Sequence, residues 1–111
     1  MTAAGRVFIA CVLGACSCTL RAQPHEVPPE LWDRPRTAAV ILADVGIKRA
    51  VGSLLAQPEA RLVVRHAAGQ EALVQAEELK SWLGALAIDT GRIALRSDLA
   101  AGTAITIEVI P

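Results

Sequence analysis

The chain has 111 residues, room for one small domain, and its eleven basic and eleven acidic residues give a formal net charge of zero. Aromatic residues make up 3% of the chain, so the core must come mainly from Leu, Val, Ile and Ala. The even charge balance, without a basic stripe, argues against a nucleic-acid-binding protein.

Residues 1–22 predict a secretory signal peptide. Arg6 supplies the positive charge, and the apolar run 7–20 is shorter than the ~20 residues that span a bilayer as a helix. Cleavage after Ala22 leaves a chain without cysteine and predicts a periplasmic or secreted protein. The alternative is a lipoprotein signal over residues 1–15, because LGAC, residues 13–16, resembles a bacterial lipobox. Cys16 would then be lipidated and would anchor the protein to the membrane, facing the periplasm.

Residues 23–36 form a proline-rich lead, QPHEVPPELWDRPR, which predicts extended or polyproline backbone. Its one large apolar unit is Leu31-Trp32. Two interpretations stay open: Trp32 docks on the domain, or the lead is a short partner-binding peptide.

Regular patterns begin at residue 37. Residues 37–43 fit a short strand or a first helical turn, and Asp44 is a plausible N-cap for a helix over 45–57. A second helix is predicted over 72–87, and strands over 61–66, 92–96 and 103–110, the last two separated by a turn at 101–102. The expected core positions are Ile47, Val51, Leu54, Leu55, Leu62, Val64, Leu73, Ala76, Leu79, Leu83, Leu86, Ile105, Ile107 and Val109.

This element order predicts the α+β class, a two-layer sandwich with a small mixed sheet and two helices on one face. The strands at 61–66 and 92–96 are joined through a helix, which favours parallel pairing. The last two strands follow each other closely, so we expect them to pair antiparallel.

From residue 37 to 109 the chain resembles the C-terminal domain of the OmpA-like family, which holds outer membranes or envelope machines to peptidoglycan. The stretch LLAQPEARLVVRH is similar to that family's helix-to-strand entry, QAEELKSWLGALAIDTGRIAL to its second helix and next strand, and TAITIEV to its closing strand. The resemblance implies a β-α-β-α-β-β domain over residues 37–111.

The departures from the family fall on the residues that bind its ligand. Ala67-Ala68 stand where the family has Thr-Asp, and Gln75 stands where it has the arginine that grips a carboxylate. By this resemblance the rim at the end of the first long strand is the best candidate for recognition. It consists of Arg65, His66, Gln70, Glu71 and Gln75.

Further chemistry is not indicated. Two histidines and no mature cysteine argue against a metal site, Glu77-Glu78 point about 100° apart on a helix, and no serine lies in a nucleophile elbow. The sequence therefore predicts no enzyme and no cofactor. It predicts an exported cell-envelope accessory protein with a degenerate OmpA-like domain and an unknown envelope protein partner, or alternatively a divergent peptidoglycan- or glycan-binding module with a weak peptidoglycan contact.

Overall fold

The computed structural model describes residues 23–111, so the predicted signal peptide and the alternative lipidation at Cys16 lie outside the described part. The strands are β1 (His25–Glu26), β2 (Arg61–Ala67), β3 (Ile93–Leu99) and β4 (Thr106–Ile110); the helices are α1 (Ala38–Ala43), α2 (Val45–Ala56) and α3 (Gln70–Ala85). Short 3-10 helices cover Pro29–Asp33 and Thr90–Arg92. Within this part of the chain no helix is long and apolar enough to cross a membrane.

The four strands form one mixed sheet in the order β1-β4-β2-β3. The predicted parallel pairing of β2 with β3 is confirmed. The predicted antiparallel pairing of β3 with β4 is wrong, because β4 pairs with the other side of β2. The burial pattern gives the reason: β4 buries Ile107 and Val109 and suits an inner position, whereas β3 exposes Arg96, a pattern that suits an edge.

The fold is the predicted α+β two-layer sandwich. Side chains from the three helices and from one face of the sheet, including Leu62 and Val64, join in a single hydrophobic core. Residues 37–43, which the sequence left open between strand and helix, form the helix α1 and its N-cap. Thr37 is the N-cap, and its hydroxyl oxygen accepts a hydrogen bond from the backbone N–H of Val40 at 3.1 Å.

Two predicted core residues face solvent. Leu55 on α2 is 57% exposed and Leu73 on α3 is 40% exposed, whereas Leu54 and Leu79 are fully buried. Each helix packs one narrow stripe against the sheet, so a leucine beside that stripe stays outside it.

The proline-rich lead belongs to this fold. Val27 and Leu31 are buried in the common core, and Trp32 packs against it. The backbone N–H of Val27 donates to the carbonyl of Ile105 at 2.8 Å, next to the β1–β4 pairing. The docking interpretation of Trp32 is therefore the one that the structure adopts.

The two ends of α2 are held by side chains. Asp44 caps the start, since its Oδ2 accepts from the N–H of Ile47 at 3.0 Å, which confirms the predicted N-cap. Arg92 holds the far end. Its guanidinium donates to the carbonyls of Leu54 at 2.8 Å, Gln57 at 2.7 Å and Ala60 at 2.9 Å, which satisfies acceptors that the end of a helix leaves open.

Candidate functional site

The five residues of the predicted rim do not form one site. Arg65 and His66 are consecutive in β2, and consecutive side chains of a strand point to opposite faces. The prediction of a shared rim grouped Arg65 and His66 by their nearness in the chain at the end of the strand, without regard to this alternation. The strand includes both residues and extends to Ala67, and Arg65 is half-buried whereas His66 is buried.

Arg65 lies on the face of the sheet opposite the helices. Its guanidinium forms ion pairs with Asp98 on β3 and with Glu108 on β4, the latter at 3.5 Å between Nη2 and Oε1. Because two carboxylates already neutralise this arginine, it ties three strands together and offers little free charge to a ligand.

His66 points the other way and is 4% exposed. Its Nδ1 lies 2.8 Å from the carbonyl oxygen of Ala67. Since a carbonyl can only accept, Nδ1 carries the proton in this bond. Buried and bound to its neighbour's backbone, His66 is a structural residue of the β2–α3 corner.

The three rim residues on α3 stay on the surface. Gln70 and Glu71 are exposed, and Gln75 is half-buried. Glu71 and Gln75 line a cleft of about 220 Å³ together with Trp32 and Thr103. The structure thus brings two of the five predicted residues together, and adds a tryptophan from the lead that sequence reasoning did not connect with them.

Beside this cleft, both tryptophans of the chain meet an ion pair between the lead and α3. Arg36 donates to both carboxylate oxygens of Glu78, at 2.6 and 3.1 Å, and its guanidinium carbon lies 5.6 Å from the centre of the Trp32 ring. The indole N–H of Trp82 donates to Glu78 at 3.2 Å. The hydrogen bond from Arg36 lowers the pKa of the Glu78 carboxyl, against a smaller opposing influence of burial.

From the sequence, Glu78 was considered only as a partner of Glu77 in acid–base chemistry, and no contact was predicted for it. The four-residue spacing of Glu78 and Trp82 places both on one side of a helix and could have indicated the hydrogen bond between them. The arginine that meets them lies 42 residues away in the chain, and no local pattern indicates that contact.

A larger concavity lies along α2 and the edge of the sheet, with a volume of about 670 Å³. We call it the α2–β4 groove. Ile107 and Val109 of β4, Gln23 and Pro24 of the lead, and one side of α2 line it, the helix contributing Gly46, Arg49, Ala50, Gly52, Ser53 and Ala56.

His25 of β1 also lines the groove. Its Nε2 lies 2.7 Å from Oδ2 of Asp44, the residue that caps α2, and its ring rests directly against Gly46. A methyl group on Gly46 would overlap this ring, so the close approach of β1 to α2 requires glycine there. Gly52, further along the same helix, has open space in front of it.

Among the described residues, 23–111, no three His, Cys, Asp or Glu side chains lie close enough to hold a metal ion. Comparisons with family models, with curated proteins and with solved structures gave no match to this chain. The geometry of the site therefore carries the functional argument.

Proposed function

We propose that the chain is an exported cell-envelope accessory protein, periplasmic or secreted, whose degenerate OmpA-like domain has a structural or protein-interaction role without enzymatic activity. One observation carries the proposal. Within the rim, which lies at the strand end where the OmpA-like family keeps its ligand, Arg65 is neutralised by two carboxylates and His66 is buried against the backbone.

The size of the concavities points in the same direction. Sites for small ligands commonly occupy about 300–1,000 Å³. The cleft at Glu71 and Gln75, at about 220 Å³, lies below that range, and the α2–β4 groove, at about 670 Å³, lies within it. None of the five rim residues lines the groove, which supports an interaction of another kind.

A divergent peptidoglycan- or glycan-binding module is the second candidate. Gln75 lines the same cleft as Trp32, whose ring offers an apolar face beside polar groups. Tryptophan is common at interfaces with partners that have both an apolar and a hydrated surface. Against this candidate, the arginine-to-glutamine replacement removes the planar cation that binds a carboxylate in bidentate fashion.

Two measurements separate the candidates. In a sedimentation assay with purified sacculi, the proposal expects no saturable binding, and Gln75→Ala and Arg65→Ala should change nothing. In the native envelope, photo-crosslinking from positions on the described surface should join the protein to a protein partner. Saturable sacculus binding that Gln75→Ala weakens, with no protein crosslink, would establish the glycan-binding alternative instead.

A further inference from the structure

We propose that the α2–β4 groove binds a short extended peptide with an acidic side chain, which pairs with the open edge of β4 and places its carboxylate at Arg49. This inference rests on the proposed protein-interaction role and names the chemistry of the partner. Three properties of the groove lead to it: an open strand edge, a wall of small residues, and a positive charge.

The strand edge is open at Val109. In an antiparallel pair, alternate residues direct both backbone groups to the same neighbour. Val27 donates to Ile105, so Ile105, Ile107 and Val109 direct their N–H and C=O groups to the β1 side. However, β1 begins at His25, opposite Ile107, and within residues 23–111 no backbone hydrogen bond reaches Val109 from that side.

The register shows what is missing there. With His25 opposite Ile107, Gln23 would stand opposite Val109, yet it leaves the sheet and lines the groove instead. An extended peptide can supply the absent partner, since strand addition to a sheet edge satisfies such backbone groups.

The wall of α2 leaves room for side chains of that peptide. Ala50, Gly52, Ser53 and Ala56 are all small, and a Cβ atom on Gly52 would meet nothing within 4 Å. The floor is formed by Ile107 and Val109, which are apolar. Alanine- or valine-sized side chains on alternate positions of a strand match this shape.

The charge of the groove selects an acidic partner. Arg49 is exposed, lines the groove and has no ion pair within the described part of the chain. None of the described lining side chains is acidic. An arginine beside an apolar floor can hold a carboxylate through two parallel hydrogen bonds.

An acyl chain with a carboxylate would also match an apolar floor and an arginine. It has no N–H to offer the carbonyl of Val109, so the open backbone pair favours a peptide. A fatty acid is therefore an outcome that the experiment must be able to report.

The test uses the protein as recovered after export, with its N-terminus determined by mass spectrometry. The probe is a terminally blocked pentapeptide of alternating valine and alanine with a central aspartate and a neutral fluorophore, measured by fluorescence anisotropy. We expect saturable binding, and binding at least about 10-fold weaker when lysine replaces the aspartate, as charge-assisted pairs predict. In a paired strand, alternate amides of the peptide face β4. N-methylation of the amides that face β4 should therefore abolish binding, and N-methylation of the amides that face away should leave it unchanged.

Two variants and one control locate the site. Gly52→Leu should fill the groove, keep the helix and remove binding, because leucine is a good helix former and open space lies before Gly52. Arg49→Glu should reverse the preference, so that the lysine peptide binds better than the aspartate peptide. Lys48→Glu makes the same charge change one residue away, outside the lining of the groove, and should reduce binding far less.

Several results would overturn the inference: absence of saturable binding, unchanged binding by folded Gly52→Leu, or equal effects of Arg49→Glu and Lys48→Glu. Displacement by dodecanoate together with tight binding of a fully N-methylated peptide would show an amphiphile site instead. If envelope crosslinking finds a protein partner whose capture Gly52→Leu does not affect, the groove inference fails while the interaction role stands. Saturable sacculus binding without any protein crosslink would remove both.

Discussion

Replacing Gly46 with alanine should destabilise the protein, although alanine is the better helix former. The Gly46 Cβ would overlap the His25 ring, which is held in place by its bond to Asp44 and by the pairing of β1 with β4. Forcing an extra methyl group into a packed contact costs about 1–3 kcal/mol. Loss of the hydrogen bond between His25 and Asp44 adds about 1 kcal/mol.

The same substitution at Gly52 provides the matched control. Both glycines lie on α2, but a methyl group on Gly52 meets nothing, so Gly52→Ala should show only the gain in helix propensity, up to about 1 kcal/mol. At Gly46 this gain offsets part of the cost. We expect Gly46→Ala to be about 2–4 kcal/mol less stable than Gly52→Ala, the net of those terms.

Urea denaturation followed by far-UV circular dichroism measures this difference, and a thermal scan should show about 4–8 °C per kcal/mol for a domain of this size. A double-mutant cycle identifies the cause. Since His25→Ala removes the ring that the methyl group meets, Gly46→Ala should cost far less in that background than in the wild type. Equal stability of the two glycine variants, or additive effects of Gly46→Ala and His25→Ala, would refute the reasoning.

Three further predictions concern the packing of the helices. Arg92→Ala should lower stability by about 2–4 kcal/mol, because three carbonyls lose their donor. Arg92→Lys should recover only part of it, because an ammonium lacks the planar fork of donors that spans several acceptors; urea denaturation of both variants checks this. Leu79→Ala should cost about 2–5 kcal/mol, whereas Leu73→Ala, at a position 40% exposed, should cost much less by the same assay. Folding lowers the pKa of the Glu78 carboxyl, so the ionised group stabilises the folded state. This stabilisation is complete at pH values above the pKa of the unfolded glutamate, and it is lost as the pH falls through the lower pKa of the folded state. Glu78→Gln should therefore lose stability at neutral pH and match the wild type in strong acid, and parallel loss at every pH would contradict this.

Local periodicity was a good guide to the separate elements. The alternation around Leu62 and Val64 predicted β2, and the three-to-four-residue spacing of Ala76, Leu79 and Leu83 predicted α3 and its buried stripe. The N-cap at Asp44 was also predictable, because its hydrogen bond joins two residues only three positions apart, Asp44 and Ile47.

The candidate site was predicted less well, for an identifiable reason. Arg65 and His66 were assigned to one rim because they are neighbours at the end of the strand, but neighbouring side chains of a strand lie on opposite faces. No sequence pattern predicted the groove beside Val109. The groove arises because β1 pairs with only part of β4, and these two strands lie about eighty residues apart in the chain.

The sequence by itself determined the α+β class, the parallel β2–α3–β3 unit and most of the core, because these follow from the period of a helix or a strand and from short connections. Only the tertiary structure decided that β4 lies beside β2, that Arg36 reaches Glu78, and that the lead closes the sheet edge as far as His25. These contacts join distant segments, and each depends on which surface remains uncovered after the local elements have formed. That remaining surface includes the α2–β4 groove, where small residues, an open strand edge and Arg49 meet.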